Sequence, residues 1–356
     1  MYNYSRLLFL LISFTAFSQE PQKKVTALSG DGIFSLLREN GIDPTKYYKE
    51  FIVLNKNKIS INNGLFIGET YILPAIKGVS KKEIISTKSK VVKATDSIPE
   101  KLKDSIPLIK TEFYPIFGNG NTHITIENNI LKGAIYYLIS GHGGPDPGAT
   151  TTYNGKLITE DEYAYDVTLR LARLLILNGA QVYIIIKDPN DGIRDQQVLE
   201  VDYDEVNYSN SPISKSQKLR LWQRTQAVNN LYLKHKEAYQ RLIVTHVDSR
   251  SKSKNIDVFF YHHKKSKNGR QLAEQIHKSF KQKYAEHQPN RKYLGTVGSR
   301  SSLYLIKNSL PAMVYIELGN ITNTKDQKRI LNYENREALA KWIHNGLLDD
   351  YIEQKK

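Results

Sequence analysis

The 356 residues contain no cysteine. That absence removes disulfides, thiolate metal sites and cysteine nucleophiles together. Any metal site must therefore be built from histidine and carboxylate. Long apolar runs are nearly as scarce. Leu7 to Phe17 is one run of eleven apolar or small residues, too short for a comfortable membrane span. Nothing after it is long and apolar enough to cross a bilayer. Acidic residues are also few: 36 Asp and Glu against 51 Lys and Arg leave a net charge of +15. No recognisable nucleic-acid motif accompanies this excess, which argues against a nucleic-acid partner.

The short apolar run has a purpose of its own. Arg6 precedes it, and Ala16-Phe17-Ser18 follows with small residues at cleavage offsets, so residues 1–18 read as an export signal. No cysteine follows the run, which excludes a lipoprotein anchor. The expected location is the periplasm or cell envelope, or outside the cell. The basic excess is concentrated in residues 241–300, with fourteen Lys/Arg against four Asp/Glu. Such a field favours an anionic partner, and outside the cytoplasm an acidic polymer fits it.

With 40% hydrophobic residues the chain is long enough for two globular domains. In residues 24–76, Ser29-Gly30-Asp31-Gly32 precedes a short helical stripe, Ile33 to Leu37, that Asn40-Gly41 would end. Asp43-Pro44 opens a second helix reaching Leu54. Leu65 to Pro74 reads as a turn and a closing strand. Strand, helix, helix, strand resembles a LysM domain. The resemblance rests on the Gly-Asp before the first helix, Asn55 after the second, and the Ile67-Gly68-Glu69 … Ile72-Leu73-Pro74 ending. It implies binding to N-acetylglucosamine-containing glycans. The sequence departs from that pattern at Gly32 and in a longer loop, Asn55 to Asn63. Residues 77–112, rich in Lys, Ser, Thr and Pro with Asp-Ser-Ile-Pro at 96–99 and 104–107, read as a linker.

From 113 to 356 strands and helices alternate. Ala134–Ile139, Gln181–Lys187, Leu242–Thr245 and Met313–Ile316 read as strands. Ala164, Val167, Leu171, Leu174 and Leu175 form one helix face, with Asn178-Gly179 as its stop. Leu219–Tyr239, Leu272–Tyr284 and Arg336–Tyr351 read as further helices. The expected fold is α/β, a twisted, largely parallel or mixed sheet flanked by helices.

Three groups close strands in this reading: His142 on the Gly141-His142-Gly143-Gly144 turn, His246 after Thr245, and Glu317 after Ile316. In open α/β sheets, sites form beyond the carboxyl ends of strands, so parallel neighbours would bring the three together. Thr159-Glu160-Asp161-Glu162 opens the amphipathic helix. Thr159 and Glu162 have capping-box spacing, which leaves Glu160 free to face the sheet edge. His142, Glu160 and His246 would then form a two-histidine, one-carboxylate set suited to zinc with an open position. Glu317 would act as acid and base beside it. His262 or His263 is the alternative to His246, and Glu162 the alternative to Glu160.

The chain from about 115 to 351 resembles the zinc-dependent N-acetylmuramoyl-L-alanine amidases of the type 3 family. The match is carried by Gly141-His142-Gly143-Gly144-Pro145-Asp146-Pro147-Gly148-Ala149, by Glu160 opening a helix that runs to Leu174-Leu175, and by Asn178-Gly179-Ala180-Gln181-Val182-Tyr183. Pro311-Ala312-Met313-Val314-Tyr315-Ile316-Glu317-Leu318-Gly319-Asn320-Ile321-Thr322-Asn323 completes it. The resemblance implies zinc on His142, Glu160 and His246, with Glu317 as the catalytic carboxylate. It implies hydrolysis of the amide between the lactyl group of N-acetylmuramic acid and L-alanine in peptidoglycan. The chain departs from the family at Ile139-Ser140, where Asp-Pro is usual, and at Val244-Thr245-His246-Val247-Asp248, where Ser-Ile-His-Ala-Asn is usual. Asp191 to Ser216 is longer than the family minimum and reads as a loop at the rim of the site. Arg270 and Arg300 are candidate contacts for stem-peptide carboxylates. Two other readings remain open: an inactive peptidoglycan-binding or regulatory protein, and a zinc peptidase cutting within the stem peptide. Nothing in the sequence points to or excludes a protein activator.

Overall fold

The computed structural model describes residues 23–28, 31–59, 64–76, 110–249 and 255–356. The expected export segment 1–18 and residues 77–109 of the expected linker lie outside the described residues. The chain divides into two compact units, residues 1–87 and 88–356.

In the first unit, β1 (Lys24–Thr26) pairs antiparallel with β2 (Thr70–Ile72), and α1 (Ile33–Glu39) and α2 (Pro44–Leu54) lie between them in sequence. This is the element order read from the sequence. Leu36, Leu37, Phe51, Tyr71 and Leu73 form its core. Asn55 ties the end of α2 to β2: its amide donates to the Ile72 carbonyl at 2.8 Å and its oxygen accepts from the Ile72 amide at 2.8 Å. Gly41, at φ +77, takes the left-handed turn that ends α1.

In the second unit the first described strand starts at Thr111, two residues before the strand–helix alternation read from 113. β3 (Thr111–Phe113) pairs with β4 (His123–Thr125) in a two-stranded ribbon. β5 (Ala134–Ser140) follows, then the hairpin β6 (Thr150–Tyr153) and β7 (Lys156–Thr159). Next come α3 (Glu160–Leu177), β8 (Gln181–Ile184), β9 (Ile186–Lys187), β10 (Val206–Asn207) and α4 (Gln217–Lys234). The chain continues through β11 (Tyr239–Asp248), β12 (Phe259–His262), α5 (Lys267–His287), β13 (Thr296–Ser299) and α6 (Tyr304–Asn308). It closes with β14 (Ala312–Asn320), α7 (Thr324–Leu331) and α8 (Tyr333–Gln354).

Six strands form one mixed sheet in the order β13-β12-β14-β11-β5-β8. β8, β5, β11 and β14 run parallel, and β12 runs antiparallel to β14. All seven residues of β5 are buried, as an unbroken apolar run in a strand covered on both faces requires. One face packs on α3, α5 and α8 through Leu138, Ile243, Val314, Leu171, Ile276 and Ile343, among others. The other packs on α4 and α6 through Tyr137, Val244, Met313, Val228 and Leu305.

Several boundaries differ from the sequence reading. β11 and β14 run past Thr245 and Ile316, so His246 and Glu317 lie inside strands rather than after them. Tyr239 opens β11 instead of ending α4. Ile185 separates β8 from β9. α3 is buried far beyond one apolar stripe, because its polar side chains find partners. Asp166, for example, accepts from Arg170 at 2.8 Å and Arg336 at 2.6 Å. Leu174, read as part of that stripe, is only partly buried.

Candidate metal centre and active site

The sheet register makes the site. β11 and β14 pair in parallel, with His246 directly opposite Glu317. Register partners on adjacent strands lie about 5 Å apart and point to the same face. β5 lies on the other side of β11, with Thr245 opposite Ser140, so the Gly141–Gly144 turn emerges beside His246. His142 itself has φ 61, the left-handed region that a non-glycine residue rarely adopts. Its carbonyl accepts from Arg224 of α4 at 2.5 Å, which helps hold that conformation.

Glu160 opens α3 and enters from the opposite direction. Its Oε2 lies 3.3 Å from His142 Nε2 and its Oε1 lies 2.7 Å from His246 Nδ1. Two backbone amides fix the carboxylate, Ala149 on Oε2 and Val247 on Oε1, each at 3.0 Å. One nitrogen or oxygen from each of His142, Glu160 and His246 lies within 4.8 Å of the others. The donor set is two imidazoles and one carboxylate gathered within that distance, a chemistry that fits a zinc ion.

Each imidazole has its own support. Asp146 Oδ2 lies 3.0 Å from His142 Nδ1, and Arg220 of α4 holds the same oxygen at 2.5 Å. In the neutral ring, Nδ1–H donating to Asp146 leaves the Nε2 lone pair for a metal. The support for His142 therefore comes from Asp146, four residues later, and not from the divergent Ile139-Ser140. The His246 ring stacks on Tyr315 at 4.5 Å and meets the His142 ring edge-on at 4.9 Å.

The electrostatics follow from these contacts. Burial pushes Glu160 up, but the hydrogen bonds from both histidines outweigh it and hold its carboxyl well below the usual range. Burial likewise pulls His142 down, yet its bonds to Asp146 and Glu160 carry it up to about 10. His246 is lowered by burial, with the Glu160 bond opposing. Both histidines touch Glu160, and the proton goes to His142, the one with a second carboxylate.

Glu162 takes no part in this group. Thr159 makes no side-chain cap to α3, so the capping-box expectation fails. Glu162 instead pairs with Arg194 at 2.7 Å and accepts from the Asp202 amide at 3.2 Å. His262 and His263 are carried away by the direction of β12. Phe259 is opposite Glu317 and Tyr261 opposite Tyr315, so the strand descends from the site before reaching them.

The two arginines part company. Arg270 sits in the first turn of α5, largely exposed, and pairs with Glu274 on its own helix at 2.7 Å. The neighbouring Gly269 faces the carbonyl of Met313, near the start of β14, so Arg270 is placed at the sheet edge away from Glu317. Arg300 lies 5.1 Å over the Tyr261 ring, and Tyr261 neighbours Tyr315 at 6.5 Å. Its charge reaches Tyr315, the residue that stacks on His246.

The 191–216 segment, read as a loop at the rim of the site, reaches the turn that carries His142. Glu205 is buried and accepts from the Gly144 amide at 2.5 Å, so the segment braces the turn that carries His142. Glu205, Asp146, Arg220 and Arg224 are the functional neighbours that sequence reasoning missed. Asp146 and the Arg220/Arg224 pair left a signal: i,i+4 spacings on the ligand loop and on one helix face.

A family model described as N-acetylmuramoyl-L-alanine amidase matches residues 137–349. No curated protein sequence matches the chain. Among solved structures, Cwp6 from Clostridium difficile is similar at 21% identity and a TM-score of 0.45, over 61% of this chain and 29% of that one. The CwlD amidase from Clostridioides difficile, solved in complex with the GerS lipoprotein, is 19% identical with a TM-score of 0.45, over 62% and 98%. The catalytic domain of CwlV, an N-acetylmuramoyl-L-alanine amidase from Bacillus (Paenibacillus) polymyxa, is 18% identical with a TM-score of 0.44, over 62% and 98%. The chain thus spans less than a third of Cwp6 and nearly all of the other two. No helix among the described residues is long and apolar enough to cross a membrane.

Proposed function

The chain belongs to the N-acetylmuramoyl-L-alanine amidase family, and from that premise we propose that it is a zinc-dependent peptidoglycan hydrolase. Its target is the amide between the lactyl group of N-acetylmuramic acid and L-alanine of the stem peptide. The observation that carries this reading is the convergence of His142, Glu160 and His246, with Glu317 opposite His246 in the sheet.

Nε2 of His142, Nδ1 of His246 and the Glu160 carboxylate would hold the ion. When bound, zinc supplies a Lewis acid that polarises the scissile carbonyl and lowers the pKa of water. The protein groups do the rest. Asp146 and Arg220 fix the His142 tautomer, and the Ala149 and Val247 amides orient Glu160, which the two imidazoles keep ionised. Glu317 takes the proton of the attacking water and delivers it to the alanine nitrogen as the amide bond breaks. Arg300, whose backbone lies beside His262 but whose guanidinium lies over Tyr261, contacts a stem-peptide carboxylate. The first unit holds glycan as a LysM-like module, residues 77–112 tether it, and residues 1–18 direct export to the cell envelope.

The test is a digest of purified peptidoglycan by zinc-loaded protein, with products resolved by mass. Expected products are glycan that keeps its lactyl groups and peptides with a free N-terminal alanine. Glu317→Ala should lower the rate by about 10²- to 10⁴-fold while zinc content stays the same. Cleavage inside the stem peptide would make the protein a peptidase. Glycan binding without release would make it a wall-binding protein. Undiminished cleavage by Glu317→Ala would overturn the mechanism.

A further inference from the structure

A second group of carboxylates lies apart from the His142 centre. After β9 the chain makes a long excursion to β10, and Asp188 at its start meets Asp202 and Asp204 near its end. One oxygen of each lies within 4.8 Å of the others. Asp188 is 4% exposed. Its Oδ1 accepts from the amides of Asn190 at 3.0 Å and Asp191 at 2.8 Å. Its Oδ2 is buried with no hydrogen-bond partner, and so is Oδ1 of Asp202. Two buried carboxylate oxygens left bare in one small space are costly unless something positive sits between them.

The protein answers this charge with one neutral side-chain donor, the Asn190 amide, which donates to Asp204 Oδ2 at 2.9 Å. Among the described residues no Lys, Arg or His forms an ion pair with Asp188, Asp202 or Asp204. Arg194, the guanidinium of this segment, is committed to Glu162 and Asp191. Burial pushes Asp188 up to about 6, with Asp191 and Asp202 adding to the rise. The donors are oxygen alone, with no imidazole and no thiolate, which selects hard cations over zinc, copper or nickel. Asp202 is half-buried and Asp204 exposed, leaving an open side where water completes a coordination shell. Calcium accepts such an irregular, partly hydrated set of carboxylates more readily than magnesium, which demands near-octahedral geometry.

We propose that Asp188, Asp202 and Asp204 bind a hard divalent cation, calcium before magnesium, that fastens together the two ends of the 188–205 segment. The segment is the one that sets Glu205 on the Gly144 amide and Arg194 on Glu162. The cation thereby steadies the rim of the His142 turn without touching the reacting groups. The inference stands on its own donor set and is independent of the zinc reading.

The experiment titrates CaCl₂, and separately MgCl₂, into the zinc-loaded full chain by calorimetry, with Tm followed in parallel. One calcium per chain beyond the zinc is expected. Tm should rise by about 5 °C at a hundredfold excess over Kd. Asp204→Asn, at an exposed position that folding tolerates, should weaken calcium at least tenfold with zinc content unchanged. Asp202→Asn should do the same. Binding of neither cation at millimolar concentration would overturn the proposal, and so would calcium affinity as high in both variants as in the parent. A response to magnesium alone would overturn the choice of calcium.

Discussion

Two regions of opposite character meet at the first turn of α3. On one side Glu160 lies between two imidazoles and takes two backbone amides. On the other, Asp161, Glu162 and Glu205 face one another, and Arg194 pairs with Glu162. All four carboxylates are buried. Burial would raise every one of them, yet Glu160 is held low, whereas Asp161 rises to about 8 and Glu162 and Glu205 to about 7. Donors, not depth, decide which buried acid stays ionised. A carboxylate whose donors outweigh its burial can bind a metal near neutral pH; one whose burial and acidic neighbours outweigh its donors stores a proton instead.

The sharpest way to break this comparison is to exchange the two glutamates' fates. Glu160→Ala should abolish stoichiometric zinc and lower peptide release by at least about 10³-fold, measured by metal analysis and the peptidoglycan digest. Glu162→Ala should keep zinc but destabilise the fold by about 3 kcal/mol, because it strips Arg194 of a buried partner; urea unfolding reads this out. Zinc lost from Glu162→Ala and kept by Glu160→Ala would invert the assignment.

A smaller effect should appear in the pH dependence of stability. Glu205 has a folded pKa of about 7, chiefly from burial, against 4.5 as its ordinary value. A raised acid stabilises the fold below its unfolded pKa, and that contribution fades as pH rises through the folded one. In metal-free buffer, Glu205→Gln should flatten the decline between about pH 4.5 and 7, by up to about 3 kcal/mol in urea unfolding. A decline as steep in the variant as in the parent would remove Glu205 from the proton-storing side.

The smallest effect separates the arginines. Arg300→Ala should raise KM about fivefold with kcat little changed, as loss of an exposed charge contact with substrate does. Arg270→Ala should leave both constants alone, since its guanidinium is occupied by Glu274 at the distant edge. Equal effects from the two would reduce Arg300 to general basic charge.

Much of this was legible in the chain. Strand-end placement drew attention to His142, His246 and Glu317, and the parallel pairing of β5, β11 and β14 brings them side by side. Asn40-Gly41 and Asn178-Gly179 marked true helix ends, because glycine at positive φ is a local requirement. Periodicity failed where side chains were polar but buried. Asp166, Arg170 and Arg336 satisfy one another through distant partners, and no local pattern announces that. Strand ends were cut short at His246 and Glu317 because polar residues inside a strand look like its limit. Asn154-Gly155, the turn between β6 and β7, carried a hairpin signal that the helix following it obscured. The role of Glu205 could not be read at all, since it depends on a segment folding back on Gly144 from 61 residues away.

Two glycines back the imidazoles. A methyl group at Gly141 would sit 2.4 Å from the His246 ring, and one at Gly148 would lie 2.7 Å from the His142 ring and 2.8 Å from Glu160. These residues act as gauge blocks, fixing how far each ring can retreat. A saturation library across the site would therefore meet its narrowest tolerance at positions with no side chain. Conservative replacements of His142, Glu160 or His246 would be judged by chemistry, but alanine at Gly141 would be judged by fractions of an ångström.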